Sequence, residues 1–205
     1  MAQITSYGTL KTEIANGLHR SDLTSDVPFF IQLAENRIYR ELRVRQMETT
    51  FSSAISSGVI SVPTGYVELK VARISSTSPT RTLQRKDAEW IYSNYPTRSS
   101  DAMPQFIARD GASFIFGPYP DSAYTVAGTY YKRLSALSDS NATNWLTDDC
   151  PDLIYYAALC EAAPWLRDDS RIPVWERKYE IIKSRVQGQD NDEEFSGSPL
   201  SATLR

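Results

Sequence analysis

Apolar side chains in the first 45 positions recur at helical spacing. Leu10, Ile14 and Leu18 are four apart and make one stripe. Ser6 stands just ahead of it, placed to cap a helix running to about Gly17. Asp26 then precedes Pro28, an acceptor followed by a residue whose missing N–H costs nothing in a first turn. Ile31, Ala34, Ile38 and Leu42 give this second helix its core stripe. Arg37, Arg40 and Arg43, three apart, are expected on the opposite face.

From about Thr49 the period changes to two. SSG at 56–58 and PTG at 63–65 are turn signals, separating strands near Gly58–Val62 and Val67–Ile74. A short helix is expected over Lys86–Asn94. QFIARDGASFIFG reads as a hairpin, with Asp110-Gly111 as a type I′ turn that needs φ > 0 at both residues. GPYP breaks the run with a rigid turn, and AYTVAGTYYKRL resumes it, placing Tyr124, Val126, Gly128 and Tyr130 on one face.

The helical pattern returns after Asn144. Asp149 before Pro151 predicts a helix start, and Leu153, Ile154, Ala157, Ala158 and Leu159 give it a broad apolar face. Pro164 is expected to kink or end that helix near Ala163. A last helix starts at Ser170, carries the stripe Trp175, Tyr179, Ile182 and Val186, and stops at Gly188. The blocks predict an α+β fold: a bundle of N- and C-terminal helices (1–48 and 141–188) with an inserted antiparallel β-rich block (49–140). An extended C-terminal tail (189–205) follows.

Composition narrows the picture. A chain of 205 residues that is 41% hydrophobic can form a core without disulfides. Its net charge of -3 supplies no global basic field for nucleic acid. Cys150 and Cys160, read as lying on one helix, would be ~15 Å apart along its axis, too far for a disulfide, and are expected as buried reduced thiols. The N-terminal MAQITSYGTLKTEI lacks the basic and apolar regions of a signal peptide, and no apolar run approaches the length of a membrane span.

Catalytic chemistry finds little footing. His19, the one histidine, sits at the end of the first helix, where interaction with the helix C-terminus explains it. One histidine and two distant cysteines make no zinc site of ordinary spacing. The pairs Asp148/Asp149 and Asp168/Asp169 fall at helix ends, where capping accounts for them, and the acidic run Asp190–Glu194 falls on the tail. No glycine-rich phosphate loop is present. The reading is therefore no enzyme, no cofactor and no metal. Arg37, Arg40 and Arg43 leave two readings: a solvated or subunit-contacting face, or the phosphate-binding face of a small nucleic-acid-binding accessory protein. Glu41, four residues from both Arg37 and Arg45, favours the first by pairing part of that charge in place.

Four segments in order carry a resemblance: VPFFIQLAENRIYRELRVRQMETT, VISVPTGYVELKVARI, MPQFIARDGASFIFGPYPDSAYTVAGTYYKRLSALSD and NWLTDDCPDLIYYAALCEAAPWLRDDSRIPVWERKYE. Together they are similar to the head-to-tail adaptor family of short-tailed bacteriophages, over about residues 5–186. The resemblance implies a homo-oligomeric ring, usually of twelve copies, between the portal protein at one capsid vertex and the tail nozzle protein. It implies packaged DNA passing through the channel with only transient, non-specific contact, a place in the virion neck after assembly in the host cytoplasm, and no membrane. The net negative charge suits such a channel, since weakly repulsive walls let a duplex slide.

The tail, QDNDEEFSGSPLSATLR, cannot offset its ordering entropy with its own few apolar residues. It is expected to act as a docking strap, using Phe195, Pro199, Leu200, Leu204 and Arg205 against the portal or a neighbouring subunit. Seventeen extended residues reach ~55–60 Å.

Overall fold

A computed structural model describes residues 3–99, 101–166 and 169–194. In chain order the first elements are helices α1 (Tyr7–Leu18) and α2 (Val27–Glu41), then strands β1 (Glu48–Ala54), β2 (Val59–Ser61), β3 (Tyr66–Ile74), β4 (Arg81–Thr82) and β5 (Gln84–Arg85). Helix α3 (Ala88–Asn94) follows, with strands β6 (Phe106–Asp110), β7 (Ser113–Gly117) and β8 (Thr125–Lys132). Helices α4 (Trp145–Asp148), α5 (Pro151–Glu161) and α6 (Ile172–Glu194) complete the order. The fold is α+β, in two compact units: residues 1–46 with 134–205, and residues 47–133.

In the helical unit, Ser6 caps α1 as its position predicts. Its hydroxyl accepts from Thr9 N at 3.3 Å, and Thr9 Oγ1 accepts from Ser6 N at 2.9 Å, so two orphan donors are satisfied reciprocally. Leu10, Ile14 and Leu18 are fully buried, as are Ile31, Ala34, Ile38 and Leu42 of the α2 stripe. Asp26 holds the N-cap position of α2 but makes no side-chain cap bond, leaving Pro28 as the start signal. Helix α5 is central and touches α1, α2, α4 and α6. That explains why its buried residues, Leu153, Ile154, Ala157, Ala158, Leu159 and Cys160, go round the helix instead of forming a stripe. Gly17 lets α1 approach α5 closely, because a Cβ there would collide with the Tyr155 hydroxyl.

Two helix boundaries differ from expectation. Asn144 and Thr147 form a capping box that starts α4, so Asp149 closes that short helix, and Cys150 is the N-cap of α5. The two cysteines are accordingly not inside one helix, and both are free thiols. Pro164 acts as predicted, with α5 ending at Glu161 and a 3-10 turn over Ala163–Trp165. The last helix begins at Ile172 and does not stop at Gly188. It continues to Glu194, so residues 189–194 are helix and not extended tail. Gly188 keeps helical backbone, and side chains beyond it are anchored to the bundle, as described below.

The β unit is two four-stranded sheets, ordered β1-β8-β3-β4 and β2-β7-β6-β5. The pairings are antiparallel except β5 with β6, which is parallel. Ile74, Val126 and Tyr130 of the first sheet meet Ile60, Ile107, Phe114 and Phe116 of the second in one core. The opposite face of the second sheet, Ala108 and Ile115, is covered by Ile91 of α3. Burial on both faces is why SFIFG reads as a continuous apolar run. The β6–β7 turn is displaced by one residue from Asp110-Gly111. Asp110 pairs with Ser113, leaving Gly111 and Ala112 as the loop, with φ positive (57°) at Gly111. Positive φ at the first loop residue alone is the pattern of a II′ turn and not a I′ turn.

Strand β8 lies between β1 and β3, and Gly128 at its middle leaves no room for a side chain: a Cβ would strike the Val71 carbonyl and the Phe51 ring. Gly128→Ala is expected to cost about 1–3 kcal/mol through overpacking, read as a lower melting temperature. Trp175, 7% exposed, begins the buried stripe of α6. Trp175→Ala is expected to cost ~3–5 kcal/mol, and unchanged melting with lost partner binding would reassign it to an interface.

Candidate assembly surfaces

The arginines singled out on α2 do not form one open face. The Arg37 guanidinium stacks on the Tyr179 ring at 4.3 Å, donates to Glu41 at 3.2 Å and to Glu161 at 3.4 Å, and lies 4.0 Å from Glu180. The second Glu41 oxygen accepts from Tyr179 Oη and from Lys183 Nζ, both at 2.8 Å. Burial works against the Glu41 charge, but the Lys183 and Tyr179 hydrogen bonds, with the Lys183 and Arg37 charges, outweigh it and hold the carboxyl below its ordinary range. Burial and the bond to Glu41 push the Tyr179 hydroxyl well up, so it stays a donor. Arg37 therefore ties α2 to α5 and α6. Arg43 lies past the end of α2 and donates to the carbonyls of Tyr39 (2.8 Å) and Leu42 (2.7 Å), satisfying acceptors at the helix end. Arg40 is the exposed member of the three and bonds the Asn36 carbonyl at 3.0 Å.

Arg45 pairs far along the chain and not with Glu41. Its backbone N–H donates to Asp190 at 2.9 Å, and its guanidinium meets Asp190 and Glu193. This fixes the end of α6 against the residues that follow α2. Arg171 performs a similar task elsewhere. It is held by Asp169 and donates to the carbonyls of Gly17 (2.9 Å) and Leu18 (3.2 Å), closing the C-terminus of α1. Buried Glu35 pins the segment returning from the β unit, accepting from Leu137 N at 3.0 Å and Asn144 Nδ2 at 3.2 Å. Neither Glu35 nor Arg171 stands out in the sequence, since each acts through a partner about a hundred residues or more away.

Some apolar surface remains uncovered within the chain. Phe29 is 46% and Trp165 40% exposed, and their rings meet edge to face at 5.9 Å. Trp165 in turn packs on buried Phe30 at 5.0 Å, which fixes its orientation. A rigid exposed aromatic pair of this kind is suited to a protein contact. The strap residues Phe195, Pro199, Leu200, Leu204 and Arg205 lie outside the described residues.

His19 occupies the C-cap of α1 in the left-handed region, its backbone N–H donating to the Asn16 carbonyl. Burial pushes the Cys150 and Cys160 thiols up to about 11, so both are protonated at neutral pH and neither is a ready nucleophile. Among the described residues no three His, Cys, Asp or Glu side chains are grouped to hold a metal, and no helix is long and apolar enough to cross a membrane.

The Arg171 hydrogen bonds hold the Asp169 carboxyl down from 3.8 to about 2. A depressed carboxyl adds stability above its unfolded value and loses it as pH falls through the folded one. Asp169→Asn is thus expected to melt below the unsubstituted chain at neutral pH, with the gap closing between pH 3.8 and about 2. Melting curves across that range test this; a gap independent of pH would contradict it.

Comparison with curated proteins finds no match to the chain. A family model described as SU10 adaptor protein does match, over residues 5–203, which takes in both units and every helix and strand described above. Family members are structural phage adaptors, which is not an enzyme class. On this match over nearly its whole length, the chain belongs to the SU10 adaptor protein family of phage head-to-tail adaptors.

Proposed function

We propose that the chain is the subunit of a ring that joins the portal to the tail nozzle of a short-tailed phage, twelve copies surrounding the DNA channel in the virion neck. The observation that carries this reading is the family match across residues 5–203. Two properties support it. A ring subunit must present two different surfaces that close on one another, and the chain has two units of unlike composition, one helical and one β. The bundle arginines are spent on internal partners, with Arg37 on carboxylates and Arg43 on carbonyls, which leaves little of the phosphate-binding face a nucleic-acid reading requires.

In this reading residues 195–205, with Phe195, Pro199, Leu200, Leu204 and Arg205, dock on the portal. Eleven extended residues beyond Glu194 reach ~36–40 Å, and many copies in one ring offset the weak affinity of each strap. The Phe29–Trp165 pair supplies a second, rigid contact.

The test is reconstitution. Purified chain at about micromolar concentration is expected to sediment as a monomer, since its net charge of -3 sets copies against one another, and to form rings on added portal. Truncation after Glu194 is expected to leave melting unchanged and to weaken retention on portal about tenfold or more. A stable ring without portal would overturn the assembly order, and no association with portal would overturn the function.

A further inference from the structure

The β unit holds a pocket that none of these surfaces uses. It has a volume of about 520 Å³ and is walled by Tyr66, Arg85, Lys86, Trp90 and Arg109, with Asp87 as its own acid. Lys86 follows β5, Trp90 stands on α3 and Arg109 on β6, so the second sheet and its covering helix place them. Lys86 Nζ lies 4.9 Å over the Trp90 ring, and the Arg109 guanidinium 5.1 Å over the Tyr66 ring. Arg85 has Glu68 at 3.6 Å. Among the described residues, neither Lys86 nor Arg109 has a carboxylate within ion-pair distance, and both are exposed. Cations held on aromatic walls without counter-ions fit an anionic protein segment.

The chain carries such a segment in its other unit. Residues 47–133 hold nine Lys and Arg against seven Asp and Glu, net +2, while the remainder holds thirteen against eighteen, net -5. The acidity is concentrated at the end of α6, where Asp190, Asp192, Glu193 and Glu194 fall with no basic residue in the last turn. Negative charge at a helix C-terminus opposes the helix dipole, so this end gains from an outside cation. Arg45 serves Asp190 and Glu193. Asp192 lies about 200° round the helix from Asp190, is exposed, and makes no ion pair among the described residues.

We propose that the basic aromatic pocket on the β unit of one copy receives the acidic end of α6 from the next copy. The inference rests on the ring reading and specifies its subunit contact. Pocket and helix end are two different surfaces, so the contact is heterologous, the kind that can close into a ring. Arg45 holds the helix end in place on its own subunit, while Asp192 faces Lys86 and Arg109 of the next.

Charge reversal on portal tests it. K86E/R109E and D192K/E194K are prepared in the full chain, with the unsubstituted chain as reference and melting as a check on folding. Should the reversals unfold the chain, K86Q/R109Q and D192N/E194Q replace them. Each variant alone is expected to lose about tenfold or more of the copies bound per portal, because the attraction is gone and, in the reversals, like charges face one another. An equal mixture of the two reversals is expected to recover the rings, since each pocket then finds a helix end of opposite sign. Full assembly by either reversal alone overturns the proposal. Recovery in a chain carrying all four reversals but not in the mixture would place the contact inside one subunit and overturn it too. So would loss of duplex DNA binding with assembly intact, which would make phosphate the ligand. If the unsubstituted chain forms no ring on portal, the adaptor reading itself fails; failure confined to this contact shows only in the variants.

Discussion

The pairing of β1 with β8 is the constraint on which the two-unit architecture depends. These are the strands by which the chain enters and leaves the β unit, and they run antiparallel from Glu48 opposite Tyr131 to Ala54 opposite Thr125. Entry and exit therefore lie side by side, and an insertion of 87 residues, 47–133, closes without a long open loop. The two halves of the helical unit can then meet as if they were continuous. Packing of α5 against α1 and α2 supplies most of that meeting. Polar ties fix its geometry: Arg171 on the end of α1, Glu35 on the returning segment, and the Arg37–Glu41–Tyr179–Lys183 set between α2 and α6. Gly128 makes the β1–β8–β3 arrangement possible at its tightest point.

Periodicity exposed the faces but not their partners. The stripes on α1 and α2 are buried as the spacing predicts, because side-chain period is a local property. Proline signals were equally local, and Pro28, Pro151 and Pro164 each mark a boundary. Arg37 pairs with Glu41 four residues on, as its spacing predicts, but for Arg45 the near partner was the wrong choice. Arg45 has Glu41 four residues away, yet it meets Asp190 and Glu193, and that contact carries α6 beyond the glycine expected to stop it. The β6–β7 turn is displaced by one residue because Asp110 remains in the ladder, which no dipeptide preference can convey. The parallel β5–β6 pair was hidden for the same reason, being two residues long and dependent on a crossover through α3.

The family was legible in the order and spacing of four segments, and the match over residues 5–203 agrees with that order. An assembly protein offers few other signs. Its working parts are surfaces, and a surface announces itself as a charge without a partner or a ring without a cover. Phe29, Trp165 and the Lys86–Arg109 pocket have that character, and none was visible before the fold placed them. The arginines that did stand out in the sequence are largely occupied in holding the helical unit together.

We propose above all that copies of this chain form an adaptor ring in the virion neck. A cryo-electron microscopy reconstruction of the portal vertex in purified particles tests it most directly. The expected result is a ring of density directly beneath the portal in which each subunit accommodates both the helical unit and the β unit. A particle lacking the chain, or holding it away from the portal vertex, would contradict the account.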